Sequence, residues 1–304
     1  KARFDVSSPS NGLIWPVDTD HDIEWTTYGV VPTVRIDYCT DGVGADWKPI
    51  TMSTSNNSPY RWTVDDDISS TCKIKVSDTR DPEAFGVSSG LFKIRGNVQV
   101  LSPSDAGISW IVGESHDITW ETTGTIPTVK IEYSINGGGA YTTLSASYDG
   151  PTGSMPWTVW DTLSTNCLVR ISDTRDSTVY DVSNNAFAIR GSLAVDEPLA
   201  TAQWEVNSFV WVRWHRAAGN IQNIKIELSK DNGITYPVTI VPSVNASLNQ
   251  FNWQVTDNIT NQAKIRISDL ANPEVIAESE MFKIKGKLTI TRPNGDEVFV
   301  FGTS

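Results

Sequence analysis

Apolar and polar residues alternate in short runs along the whole chain, and the runs recur. Ile23-Glu24-Trp25 returns as Ile118-Thr119-Trp120 and Val212-Arg213-Trp214, and Val34 to Tyr38 returns as Val129 to Tyr133 and Ile224 to Leu228. Ile74-Lys75-Val76-Ser77-Asp78 returns as Val169-Arg170-Ile171-Ser172-Asp173 and as Ile265-Arg266-Ile267-Ser268-Asp269, at separations of 95 and 96 residues. A period of two puts successive side chains on opposite faces of an extended backbone, so each run predicts a half-buried strand. Between runs, Asp41-Gly42, Asn136-Gly137 and Asp231-Asn232-Gly233 supply the positive-φ positions that hairpins need. About seven short strands per period, suited to antiparallel sheets and without helical periodicity, predict an all-β sandwich of the immunoglobulin-like kind.

The fixed period also sets the domain organisation. Pro9, Pro103, Pro198 and Pro293 follow the first strand of successive repeats, and Arg95-Gly96, Arg190-Gly191 and Lys285-Gly286 close them. The expected division is therefore 1–95, 96–190 and 191–285, with 286–304 as the start of a truncated fourth repeat in a longer array. Linkers of one or two residues restrict the angle between neighbours, which predicts tandem sandwiches arranged as an elongated rod.

Ser-Pro-Ser-Asn-Gly (8–12), Ile23-Glu24-Trp25, Val34 to Tyr38, Trp62-Thr63-Val64 and Ser77-Asp78, with their counterparts, carry a resemblance. The repeat resembles the immunoglobulin-like repeats of large secreted and surface-layer proteins of bacteria. It also resembles the related domain of Ser/Thr-rich, lipid-anchored fungal cell-wall proteins. The resemblance implies an extracellular or cell-surface place, a spacer, biofilm-matrix or adhesin-stalk role, and no catalytic residues. Partners would be other copies of the chain or other matrix and cell-envelope proteins. The third repeat departs most, with Glu197-Pro198-Leu199 in place of the Asn-Gly turn and Asp269-Leu270-Ala271-Asn272 in place of Asp-Thr-Arg-Asp.

Charge sharpens that picture. A net charge of −12 across 304 residues opposes binding to nucleic acid or to an anionic membrane surface. No apolar run is long enough to insert in a membrane, and Lys1-Ala2-Arg3 leads into strand-like sequence without a signal peptide.

Candidate chemistry is sparse. Nine of the twelve tryptophans fall in three repeat-matched sets (Trp15, Trp110, Trp204; Trp25, Trp120, Trp214; Trp62, Trp157, Trp253) and read as core. Trp160 and Trp211 break the pattern and are the candidates for contact with a glycan or a partner. They support the alternative reading, a polysaccharide-binding or accessory module of a larger secreted enzyme or adhesin. Asp78, Asp81, Asp173 and Asp176, with Asp65 to Asp67 near in sequence, are candidate calcium ligands; the same residues in tight turns also cap backbone N–H groups, with Arg80 and Arg175 as countercharges. No cofactor is otherwise required. Asn56, Asn245 and Asn258 stand in glycosylation triplets. His21, His116 and His215 lack metal-ligand spacing, and no repeat carries a nucleophile motif that its siblings lack, so no enzyme is expected. Strand alternation points Cys39 outward and Cys72 inward. That makes a Cys39–Cys72 bridge awkward and favours buried free thiols at Cys72 and Cys167.

Overall fold

The computed structural model describes residues 1–291, 295 and 302. Nine strands form the first repeat: β1 (Arg3–Ser8), β2 (Ile14–Pro16), β3 (Asp20–Tyr28), β4 (Thr33–Cys39), β5 (Lys48–Ser55), β6 (Tyr60–Thr63), β7 (Ser69–Asp78), β8 (Phe85–Val87) and β9 (Phe92–Arg95). The second repeat has β10 (Asn97–Ser102), β11 (Ser109–Ile111), β12 (Ser115–Thr123), β13 (Thr128–Ser134), β14 (Thr142–Asp149), β15 (Ser154–Thr158), β16 (Ser164–Asp173), β17 (Tyr180–Val182) and β18 (Phe187–Arg190). The third has β19 (Ser192–Glu197), β20 (Gln203–Glu205), β21 (Phe209–Ala218), β22 (Asn223–Ser229), β23 (Val238–Asn245), β24 (Gln250–Gln254), β25 (Thr260–Asp269), β26 (Ile276–Glu278) and β27 (Phe282–Lys285), with a 3-10 turn at Ala246–Leu248.

The chain folds into two compact units. One holds Lys1–Ile108, Asp117–Trp157 and Asn166–Phe187; the other holds Ser109–His116, Thr158–Thr165 and the chain from Ala188 onward. In the first unit, β1-β3-β6 form one sheet and β2-β9-β7-β4-β5, with β8 beside β7, form the other. The strands β10-β12-β15 and β16-β13-β14 repeat that order. In the second unit, β19-β21-β24 lie opposite β20-β27-β25-β22-β23, with β26 beside β25. These are immunoglobulin-like sandwiches in tandem.

The register is the same each time. Val34, Ile36 and Tyr38 pair with Asp78, Val76 and Ile74, as Ile224, Ile226 and Leu228 pair with Asp269, Ile267 and Ile265. Alternation thus delivers Ile36, Ile74 and Val76 to one core and Ile226, Ile265 and Ile267 to the other, all with no exposed surface. Each such side chain contributes about 1.5–3 kcal/mol on burial.

The strand count exceeds the sequence expectation because β2, β8 and their counterparts span three residues, too short for alternation to register. One of these strands also breaks the antiparallel rule. Trp15 on β2 runs parallel to Ile94 on β9, and Trp204 on β20 runs parallel to Ile284 on β27. Cys39 corrects a further expectation: it is fully buried, as are Cys72 and Cys167, and none of the three is in a disulfide. The turn after β4 folds back over Cys39 and sets the Asp41 carboxylate beside its thiol; burial first, and that carboxylate second, push the thiol pKa up. Leu288-Thr289-Ile290, expected to open a fourth repeat, forms no strand and is exposed. The expected turn at Pro293-Asn294-Gly295-Asp296-Glu297 lies, apart from Gly295, outside the described residues.

Candidate functional site

The most built feature is the surface where one repeat meets the next, and it occurs twice in matched form. In the first unit, Asp66 follows β6 and reaches the turn after β12. Its Oδ1 accepts the Thr125 backbone N–H at 2.9 Å and its Oδ2 accepts the Thr125 hydroxyl at 2.6 Å. In the second unit, Asp161 Oδ1 accepts the Asn220 backbone N–H at 2.9 Å. A basic residue closes the other side. Arg95 Nη2 donates to Thr178 Oγ1 at 2.8 Å and lies 3.5 Å from Asp176, while Arg190 pairs with Glu274.

Between these polar clasps the backbones approach too closely for a side chain. A Cβ on Gly96 would stand 2.8 Å from the Thr123 carbonyl oxygen and 2.9 Å from Ile68 Cδ1; on Gly191 it would stand 2.8 Å from the Ala218 carbonyl oxygen and from Ile221 Cδ1. Gly124 (φ +77°) and Gly219 (φ +72°) turn in the left-handed region that glycine enters without strain. Beside each junction lies a cleft, about 190 Å³ against Ile68, Arg95 and Asp173 and about 260 Å³ against Leu163, Arg190 and Asp269. Among the described residues the buried Nε of Arg95 and of Arg190 has no protein acceptor. Space and polarity there suit ordered water, which relieves a buried donor of a cost of about 1–3 kcal/mol.

The acidic loops are tied internally. Asp78 Oδ1 accepts the Arg80 backbone N–H at 2.9 Å and its Oδ2 accepts Arg80 Nη2 at 3.0 Å; Asp173 and Arg175 repeat this at 2.8 and 2.9 Å. These bonds hold the Asp78 carboxyl below the usual range. Asp81 caps the Glu83 N–H at 3.2 Å, and Asp176 takes the Thr178 N–H at 3.0 Å. Among the described residues no group of three or more His, Cys, Asp or Glu gathers as a metal site. Asp66 and Asp67 part company: Asp66 is in the junction, and Asp67 accepts from Lys48 at 2.7 Å and from the Tyr38 hydroxyl.

The glycosylation triplets serve structural ends of their own. Asn56 Oδ1 accepts the Trp25 indole N–H at 2.8 Å, its Nδ2 donates to the Val31 carbonyl at 2.9 Å, and Ser58 Oγ accepts the Trp25 backbone N–H at 3.0 Å. Asn245 caps the 3-10 turn by accepting the Ser247 N–H at 2.8 Å, and Asn258 donates to Thr256 Oγ1 at 2.6 Å. The indole partner was hidden from sequence reasoning because its chemistry changes. In the other repeats Trp120 donates to the Gly150 carbonyl and Trp214 to the Ala246 carbonyl, each at 2.9 Å.

Eight of the nine matched tryptophans are buried; Trp204 is half-buried. Trp15 and Trp110 stack on His21 and His116 at 4.8 and 4.7 Å, a cover that Trp204 lacks because Val210 stands at that position. Trp160 and Trp211 are exposed by 44% and 41%. Trp160 sits in the turn beside Asp161, whereas Trp211 lies on the outer face of β21 with Phe209, opposite Asn252 and Gln254 of β24. No repeat-matched aromatic marks Phe209 in the sequence. At the equivalent places the first repeat has Asp20 and Asp22 opposite Thr63 and Arg61. On the outer face of the larger sheets, Glu132 accepts from Lys130 at 2.6 Å and Arg170 at 2.7 Å, and Tyr141 covers Arg170 at 4.0 Å. Glu227, Lys225, Arg266 and Tyr236 copy that arrangement. Burial works to raise the Glu132 and Glu227 pKa values, but the two cations outweigh it and hold both below the usual range.

No family model matches the sequence, and no curated protein matches it. Among solved structures it is similar to the N-terminal four Ig domains of Dscam1 isoform 8.4, at 8% identity and a TM-score of 0.35, over 94% of this chain and 73% of that one. It is also similar to titin domains I67–I69 (9%, 0.33; 95% and 100%) and to chicken CNTN1 domains FN1–FN3 (13%, 0.24; 93% and 97%).

Proposed function

We propose that this chain is a non-enzymatic structural segment of an extracellular protein: tandem immunoglobulin-like repeats of a surface-layer, biofilm-matrix or adhesin-stalk protein. The observation that carries the reading is the matched junction. An aspartate clasp, a basic clasp and a glycine too close-packed for any Cβ recur at both joins, which favours a fixed angle between neighbours over a flexible tether. Extension along a stiff axis is what a spacer or matrix element needs, and the net charge of −12 keeps such an element soluble. No helix of the described residues is long and apolar enough to cross a membrane. Small-angle scattering tests the reading. Three sandwiches end to end give a radius of gyration of about 30 Å or more, from strands of about 33 Å, whereas a compact globule of this length gives about 19 Å. The compact value overturns it.

A second reading is favoured by the outer face of the third repeat. Phe209 and Trp211 lie exposed on one strand, with Asn252, Gln254 and Gln250 across from them, where the first repeat carries ion-paired acids. Uncharged rings beside amides suit an uncharged polyhydroxyl ligand: the C–H face of a sugar stacks on the ring, and the amides both donate and accept. In a pull-down on insoluble neutral polysaccharides, Trp211→Ala is expected to cut retention at least tenfold and Trp160→Ala to leave it unchanged. Equal retention of Trp211→Ala and the parent chain removes this reading.

A further inference from the structure

Each junction has a leading half, given by the repeat that ends, and a receiving half, given by the repeat that begins. The leading half is Val17, Asp66, Ile68, Arg95 and Gly96 at the first join, and Val112, Asp161, Leu163, Arg190 and Gly191 at the second. The receiving half is a left-handed glycine (Gly124, Gly219), the backbone N–H after it, a buried isoleucine (Ile126, Ile221) and an oxygen-bearing side chain (Thr178 with Asp176, Glu274).

Both sets of positions occur once more in the chain. In the third repeat the leading positions hold Val206, Asp257, Ile259, Lys285 and Gly286. Ile259 is 59% exposed where Ile68 and Leu163 are half-buried, and Gly286 is exposed where Gly96 and Gly191 are buried. The Lys285 ammonium lies 3.6 Å from Glu205, with both side chains exposed to solvent. In the first repeat the receiving positions hold Gly29 (φ +111°), Val30, Val31 and Glu83. Val30 is 92% exposed, and Glu83 meets Lys1 at 3.6 Å with both side chains largely in solvent.

We infer that the C-terminal pole of the third repeat is an interaction surface whose occupant is another repeat of this kind, entered directly through Gly286. The proposal rests on the structural reading above and on continuity with two built interfaces. Asp257 takes the backbone N–H after the incoming glycine, Ile259 packs against that glycine and the β-branched residue two places on, and Lys285 pairs with the incoming acid. The first repeat of this chain presents that set: Gly29, the Val30 N–H, Val31 and Glu83. Charge fits as well, a lysine meeting a glutamate as Arg190 meets Glu274. A neighbour joined covalently through Gly286 meets this surface at high effective concentration.

The test joins two copies of the chain in register, residues 1–286 followed by residues 3–304, so that Gly286 takes the place of Ala2. Spin labels on exposed sites either side of the new join, and in a second sample either side of the Gly96 join, report the spread of distances. The three native thiols are buried and stay out of the labelling. The expected result is a single distribution at the new join as narrow as that at Gly96. Asp257→Ala or Ile259→Ser broadens it at least twofold, Lys285→Glu does the same, and Lys285→Glu with Glu83→Lys restores it. A distribution at the new join no narrower than that of Asp257→Ala, with the Gly96 join narrow, overturns the inference alone. Breadth at both joins overturns the structural reading itself.

Discussion

Replacing Trp214 with alanine is expected to cost about 3–5 kcal/mol, the range for emptying a large aromatic from a packed core. Trp214 is 1% exposed on β21, and its indole N–H donates to the Ala246 carbonyl at 2.9 Å. The substitution leaves a cavity and strands that carbonyl. A domain of this size is stable by about 5–15 kcal/mol, so the third repeat loses a large share of its stability. Its thermal midpoint should fall by about 12 °C or more. Trp211, three residues away on the same strand but on the wet face, is the control: its alanine variant should stay within about 0.5 kcal/mol of the parent chain. Denaturant titration followed by far-UV circular dichroism reads both. Similar losses in the two variants would mean that the faces of β21 have been assigned wrongly.

That contrast is legible in the sequence. Alternation assigns each residue of Val212-Arg213-Trp214 to a face, and recurrence separates the tryptophans required in every repeat from those found in one. The junctions were half legible. Gly96 and Gly191 stand out at the repeat period, but Asp66, Gly124 and Arg95 converge from three separate stretches, and no local pattern links them. Asp65 to Asp67 look alike in sequence, yet the fold sends Asp66 to Thr125 and Asp67 to Lys48. Alternation misplaces Cys39 for a related reason. Alternation reports which face a residue is on, not whether a turn folds over that face. The buried serines Ser88, Ser183 and Ser279 were also missed. Each accepts the backbone N–H of Ile74, Val169 or Ile265 at 3.2, 3.1 or 2.9 Å, and their recurrence at the repeat period is the one mark of that role in the sequence.

Asn56→Ala should cost about 2–4 kcal/mol, because one side chain satisfies partners on both sides of it. It accepts from the Trp25 indole at 2.8 Å and from Thr27 Oγ1 at 3.0 Å, and donates to the Val31 carbonyl at 2.9 Å. Alanine strands a donor on a 5%-exposed tryptophan and an acceptor on the strand-to-strand turn. The other repeats escape this dependence, since there a backbone carbonyl takes the indole proton and no substitution removes it. The two remaining triplet asparagines calibrate the effect. Asn245→Ala removes a cap from a three-residue turn, worth about 1 kcal/mol, and Asn258→Ala removes one contact with Thr256 near the surface, worth less. Chemical denaturation of the three variants should therefore rank Asn56 well above Asn245, and Asn245 above Asn258. The same bonds bear on modification: the Asn56 nitrogen that would carry a glycan is donating to Val31. Intact mass after expression in a glycosylating host should thus show Asn56 bare in the folded chain. A loss below about 1 kcal/mol for Asn56→Ala, or a glycan on Asn56 in chain that keeps its parent stability, would mean that the triplet does not hold Trp25 in place.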